Sequence, residues 1–246
     1  MKPIINYCGL FVLLLLACAP VRAQISHRPE VREFRATAGE HSILYRGRQA
    51  PRYNFRANGH PYWSSPEFRE GGVLCEGNFY EGVPVNIDAA AQLVLVRLSS
   101  GQQTVALSPA QVDTLFVGDR CFVGRPQADR ELPAGFYEVI GQGPEQVYKR
   151  VDKRLQSSVN NVNGTIIGYN DPAYDTSLTR HFAISTIYYF RDRDGHFSRL
   201  KGKSALLRRF PEHKRDIRAA VREAGLDDRN TDFDAYCLGV LNAAAR

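Results

Sequence analysis

Short apolar runs alternate with breaks of Gly, Pro, Asn and Asp along this chain, most densely between Val73 and Val123. The runs at Val73–Ile87, Leu93–Val96, Thr104–Leu107, Val112–Val117 and Cys121–Val123 are rich in Val, Leu, Phe and Tyr. That composition and spacing predict antiparallel strands joined by tight turns. Glu81–Gly82, Ser99–Gln102, Ser108–Gln111 and Gly118–Asp119 supply the turns. Pro84 cannot donate to a ladder, so its strand is expected at an edge or with a bulge. Leu93–Val96 is continuously apolar, as in a strand covered on both faces.

The pattern extends in both directions. Ser42–Arg46 reads as a first strand, and Gly47–His60 as a long loop before Pro61, Tyr62 and Trp63. Gly135–Ile140 and Val147–Arg150 pair around a turn at Gly141–Pro144. Residues 156–179 are rich in Asn, Asp, Gly and Ser and read as a long polar loop, a candidate binding edge or hinge whose plainer reading is simple mobility. Phe182–Phe190 and His196–Leu200 flank Asp194–Gly195, a strong hairpin signal.

Beyond Leu200 the apolar period lengthens from two to between three and four. Ser204 is placed to cap a short helix through Phe210, and Pro211 to open a second that Gly225 ends. Ile217, Ala220, Val221 and Ala224 form one apolar stripe. Thr231–Asp234 resembles a capping box, followed by Phe233, Tyr236, Cys237, Val240, Leu241 and Ala244 at helical spacing. The predicted fold is mainly β: an antiparallel meander over 40–155 forming a sandwich or partly open barrel. A C-terminal hairpin with a small helical bundle follows over 180–246, as an α+β tail.

The N-terminus changes the setting. Lys2, an apolar run from Leu10 to Ala19, Pro20 and Val21-Arg22-Ala23 make a signal peptide over 1–23, cleaved before Gln24. A mobile leader, 24–39, follows. Leu15-Leu16-Ala17-Cys18 also fits a lipobox, in which Cys18 would carry lipid and tie the protein to a membrane. No later run approaches the ~20 apolar residues of a spanning helix. The expected location is exported: periplasmic or extracellular, with outer-membrane association through Cys18 as the alternative. Removing Lys2 and Arg22 lowers the formal charge from +6 to +4, a mild excess that does not point to nucleic acid.

Export permits disulfides, and Cys75 and Cys121, both on predicted strands, are the candidate pair. The other reading is that Cys75, Cys121 and Cys237 are all buried small hydrophobes. No Cys-x-x-Cys, His-x-x-x-His, G-x-S-x-G, Walker or G-x-G-x-x-G pattern occurs, so no catalytic residue, metal or cofactor is assigned. Asp192-Arg193-Asp194-Gly195 resembles part of a calcium loop, but Lys201 stands where the closing Glu belongs. Tyr62 and Trp63 are the binding candidates, able to stack on a sugar or peptide; the plainer role for such a pair is to close one end of a β-core. Lys214, Arg218 and Arg222 form a basic stripe, either a solvated helix face or a contact for anionic lipid or an acidic partner.

The signal ending at Ala23-Gln24, the run Gly135-Phe136-Tyr137-Glu138-Val139 and the tail Phe190…Gly195…Leu207…Phe210-Pro211 resemble a loose group of exported proteins of Bacteroidota-type bacteria. The resemblance implies an envelope protein and supplies no catalytic residues. The expected function is a non-enzymatic module that binds or scaffolds an envelope protein or small ligand. The alternatives are a secreted hydrolase with a site assembled near Trp63 and a surface protein lipidated at Cys18.

Overall fold

The computed structural model describes residue 44 and residues 47–98, 103–128, 131–159, 178–228 and 230–245. The signal segment with Cys18, the leader, the turn at 99–102 and residues 160–177 of the predicted loop lie outside the described residues. The fold is mainly β, as the alternation requires. The strands are β1 (Arg48–Gln49), β2 (Arg69–Cys75), β3 (Asn78–Asp88), β4 (Leu93–Arg97), β5 (Thr104–Leu107) and β6 (Val112–Val117). They continue as β7 (Arg120–Arg125), β8 (Gly135–Ile140), β9 (Gln146–Val159), β10 (Leu178–Arg191) and β11 (Phe197–Leu200). The sheet order is β1-β5-β4-β3-β2-β6-β7-β8-β9-β10-β11. By its own contacts the chain divides into a β unit, Ile43–Val139 with Tyr148–Tyr188, and a helical unit that takes in Ile140–Val147 and Tyr189–Arg246.

In the β unit, β2 to β5 form a meander and β6 then returns beside β2. Only Ser108–Gln111 separates β5 from β6, and Gln111 N–H donates to the Ser108 carbonyl at 3.0 Å, so the link is a tight turn. Four inter-strand steps of about 4.8 Å would hold β5 and β6 roughly 19 Å apart in a flat sheet. The sheet must therefore curl. Curling places Val73, Val85, Ile87, Val94, Val96, Leu107, Val112, Leu115 and Phe122 in one dry core. Val94 and Val96 belong to it, and Leu95 between them is also buried, so this strand is covered on both faces as its continuous apolar run requires.

Turn chemistry corrects one expectation. The β2–β3 turn is Glu76–Gly77, closed by the pair Cys75↔Asn78. Both turn residues have positive φ, 50° and 76°, the backbone of a primed two-residue hairpin turn. Gly82 lies inside β3, where the register slips by one residue opposite Gly71 and Val73, so it marks a bulge. Pro84 sits beside that bulge on an interior strand, which settles its two readings in favour of the bulge. Gly118, with φ 62°, turns the chain into β7 as expected. Two further corrections concern length. Arg48–Gln49, within the predicted loop, pairs with Val105 and Ala106. β9 and β10 extend to Val159 and back to Leu178, shortening the polar segment at both ends.

The helical unit holds β11, α1 (Lys203–Leu207), α2 (Lys214–Glu223) and α3 (Phe233–Ala244). Its caps differ from expectation: Gly202 precedes α1 rather than Ser204, and Asp232 precedes α3 without a side-chain cap bond. Pro211 stands before α2 rather than in its first turn. Gly225, with φ 68°, follows α2 in the left-handed conformation that ends helices. Ile217 and Val221 of α2, and Tyr236, Cys237, Val240 and Leu241 of α3, are buried as their spacing requires.

Leu115 is fully buried where β6 meets β2 and β7, whereas Ile184 on β10 is 65 % exposed. Leu115→Ala is expected to cost about 2–5 kcal/mol in denaturant melts. Ile184→Ala is expected to stay within about 0.5 kcal/mol of the parent.

Candidate functional site

The β unit carries one dense set of buried polar groups. It lies where residues 53–67, a segment with little regular structure, cross the end of β3. β2 pairs with β3 only as far as Val85. Beyond that point Pro61–Trp63 takes up the vacated edge. Trp63 N–H donates to Ile87 O at 2.8 Å, and Ala89 and Ala90 N–H donate to Pro61 O at 2.9 and 3.2 Å. Asn86 holds the same strap from its side chain, donating to Ser65 O and Glu67 O at 3.0 and 3.2 Å.

Asp88 is the centre of this set and has no solvent exposure. Its Oδ1 accepts from Ala90 and Ala91 N–H at 2.9 and 2.8 Å, the Asx geometry that opens the β3–β4 turn. Its Oδ2 accepts from the Tyr53 hydroxyl at 2.6 Å. Burial, then the bond to the Asp88 carboxylate, pushes the Tyr53 phenol well above its ordinary range. The turn ends at Gln92, a non-glycine residue at φ 54°. Gln92 Nε2 donates to Ala89 O and Val151 O at 2.9 Å each, and its Oε1 accepts from Phe136 N–H at 3.0 Å. The left-handed backbone at Gln92 accompanies a side chain that ties this turn to β8 and β9.

β9 contributes two buried cations. Arg150 meets Asp152 through Nε at 2.9 and 2.8 Å and donates to Ala134 O at 2.6 Å. Lys153 is 7 % exposed; its backbone N–H donates to Ala89 O at 3.2 Å. Its ammonium donates to His60 O at 3.1 Å and lies 3.3 Å from His60 Nδ1. Among the described residues no carboxylate lies within ion-pair distance of it. Desolvation holds the Lys153 amine below its ordinary value. His60 is held below 6.5, first by burial and then by the Lys153 charge, so its Nδ1 is available to accept from Lys153. The His60 ring stacks on Tyr62 at 5.9 Å.

Tyr62 and Trp63 therefore belong to the strap. Trp63 packs edge-on against Phe122 at 5.2 Å and joins the margin of the core, the plainer of its two roles. Tyr62 bridges to Asp88 through its backbone. The proposed Cys75–Cys121 bridge does not form, because β6 lies between β2 and β7. Cys75 faces Val112 and Cys121 faces Phe116, four positions apart along β6. Two strand steps alone exceed the roughly 7 Å that a disulfide spans between Cα atoms. The Cys75 thiol is pushed up to about 11, mainly by burial, which makes it a packing group rather than a nucleophile.

A proton-sharing amine and imidazole could serve acid–base chemistry if a substrate could reach them. Asp88 and Lys153 are buried at 0 % and 7 % exposure, and their hydrogen bonds run to Tyr53 and His60 of the crossing segment. By these bonds the set fastens the strap to the sheet. On the β10–β11 turn, Asp192, Asp194 and His196 bring ligand atoms within 4.8 Å of one another. There Asp192 Oδ1 accepts from His196 N–H at 2.8 Å, a turn bond.

Sequence reasoning missed Tyr53, Asp88, Gln92, Arg150 and Lys153. Lys153 had a usable signal: it shares the inward phase of β9 with Val147 and Val151. No family model matches the chain, and no curated protein or solved structure matches it either.

Tyr53→Phe removes one partner of a fully buried carboxylate and is expected to cost about 1–3 kcal/mol in urea melts. The folded state also resists protonating His60, so the unfolded state takes up protons first as pH falls through 6.5. Stability should therefore drop as the pH falls below about 6.5. His60→Gln should flatten that part of the slope relative to the parent, measured as the midpoint of unfolding against pH.

Proposed function

We propose that the protein is an exported cell-envelope protein, periplasmic or extracellular, that binds or scaffolds a partner and turns over no substrate. One observation carries this reading. The buried polar groups that could have built a reaction site are occupied in fastening residues 53–67 to the sheet, with Asp88 at 0 % and Lys153 at 7 % exposure. The signal-like N-terminus and the resemblance to exported proteins of Bacteroidota-type bacteria supply the location.

A secreted hydrolase is the second reading. In its favour, the Lys153 amine lies 3.3 Å from His60 Nδ1, in the neighbourhood of Trp63. It requires the strap to lift and admit a substrate.

Cell fractionation with mass spectrometry of the mature N-terminus tests the first reading. The expected product is an exported chain beginning at Gln24, with acylated Cys18 identifying the anchored form. A cytosolic chain retaining Met1 overturns it. So does turnover by purified protein that His60→Gln or Lys153→Met abolishes, a result that would establish the hydrolase instead.

A further inference from the structure

The helical unit is electrically lopsided. Residues 199–222 hold nine Lys and Arg against two acids, a net +7, whereas residues 223–234 hold five acids and one Arg. The acids that follow in sequence do not neutralise the cations. Lys203 reaches Asp228 only at its backbone carbonyl, at 2.6 Å. Among the described residues, no carboxylate lies within ion-pair distance of Arg199, Lys201, Arg208, Arg209 or the four cations of α2.

These cations line two shallow concavities. Arg199, Lys201, Arg208 and Arg209 surround one of about 290 Å³. Lys214, Arg215, Arg218 and Arg222 line the other, of about 540 Å³, together with one acid, Glu212. The fold sets this display. Ile217 and Val221 bury the opposite side of α2, which packs on α3 and leaves Arg215, Arg218 and Arg222 in solvent. The sequence marked only Lys214, Arg218 and Arg222; folding adds Arg215 on α2 and a second set from β11 and α1.

We propose that this basic face docks the protein on an anionic phospholipid surface. The inference rests on the exported binding-module reading and supplies that module's partner. Three features favour a lipid surface over other polyanions and over a protein. Phe210, the one Phe, Tyr or Trp of residues 199–222, is buried, which leaves the His213 imidazole as the exposed ring of the face and no platform of successive rings for bases. None of the exposed large hydrophobics, Leu155, Ile184 and Leu238, falls within 199–222, so the face lacks the apolar anchor of a protein interface. The apolar side of α2 is used inside the unit, so attraction comes from charge and the helix lies on the headgroups without inserting. Such docking is reversed by salt, because the field of a charged surface decays within about 10 Å at 0.1 M ionic strength.

Vesicle sedimentation tests the proposal with the purified exported protein. The vesicles are phosphatidylcholine alone and phosphatidylcholine with a one-third share of phosphatidylglycerol. The comparison protein carries R208Q, R209Q, R215Q and R218Q, four exposed positions, with its fold checked by circular dichroism and thermal melting. The parent should bind anionic vesicles more tightly than neutral ones and leave them in high salt. The fourfold variant should bind anionic vesicles about 1,000-fold less tightly, at about one kcal/mol for each charge removed. Any N-terminal lipid is common to both proteins and cancels in that comparison. Equal binding by parent and variant overturns the proposal, as does equal parent binding to both vesicles, or binding to duplex nucleic acid without binding to vesicles. A cytosolic location would sink the export reading while leaving the vesicle result standing, and the converse also holds.

Discussion

The β unit depends on one geometric constraint: β5 and β6 are joined by Ser108–Gln111 while four strand steps separate them in the sheet. Only a curled sheet satisfies both. Once curled, the inward side chains of β2 to β7 face one another, and burial of Val73, Val94, Leu107, Val112 and Leu115 follows. The bulge at Gly82 assists, since an extra residue in one strand increases local twist. The hydrophobic effect supplies the attraction, and the short link restricts where it can act.

A curled sheet leaves an end to be covered. At the end of β3 the cover is the strap of residues 53–67. A strap without its own ladder carries backbone groups that need partners. Pro61–Trp63 finds some on β3, and Asn86 and Lys153 provide others from their side chains. Asp88 performs two tasks, shaping the β3–β4 turn through one oxygen and holding Tyr53 through the other. Shifted proton affinities at Tyr53, His60 and Lys153 are consequences of this burial. Such shifts often mark reaction sites. Here the same groups are occupied in structure, which is why the binding reading is preferred.

The helical unit solves a different problem. Its helices are short, α1 having five residues and α2 ten, lengths that are marginal in isolation. Packing of Leu206, Leu207, Ile217 and Val221 with Tyr236, Val240 and Leu241 in the unit's interior stabilises them. That packing fixes the direction of the remaining side chains. A run of cations that would repel one another in a free chain is thereby held on the outside, where a polyanion can offset the repulsion.

What was legible in advance follows from periodicity. Short apolar runs between turn residues gave the strands from Val73 to Val123, and a period between three and four gave α2 and α3, because burial of a face is a local property of spacing. Turns that need a particular backbone were half legible: Gly118 was recognised, but the choice between Glu76–Gly77 and Glu81–Gly82 was not. Both pairs read Glu-Gly, and only the register Cys75↔Asn78 distinguishes a hairpin turn from a bulge. The fastening of the strap was almost illegible. Tyr53 and Asp88 are 35 positions apart, and His60 and Lys153 are 93 apart, so no spacing rule connects them. The separation of Cys75 from Cys121 is of the same kind, since strand order decides it. The sequence by itself determined which segments pleat, which coil and which face of each is apolar. Tertiary structure alone decided which polar groups meet, because a buried hydrogen bond joins whatever the curled sheet brings together, however far apart along the chain.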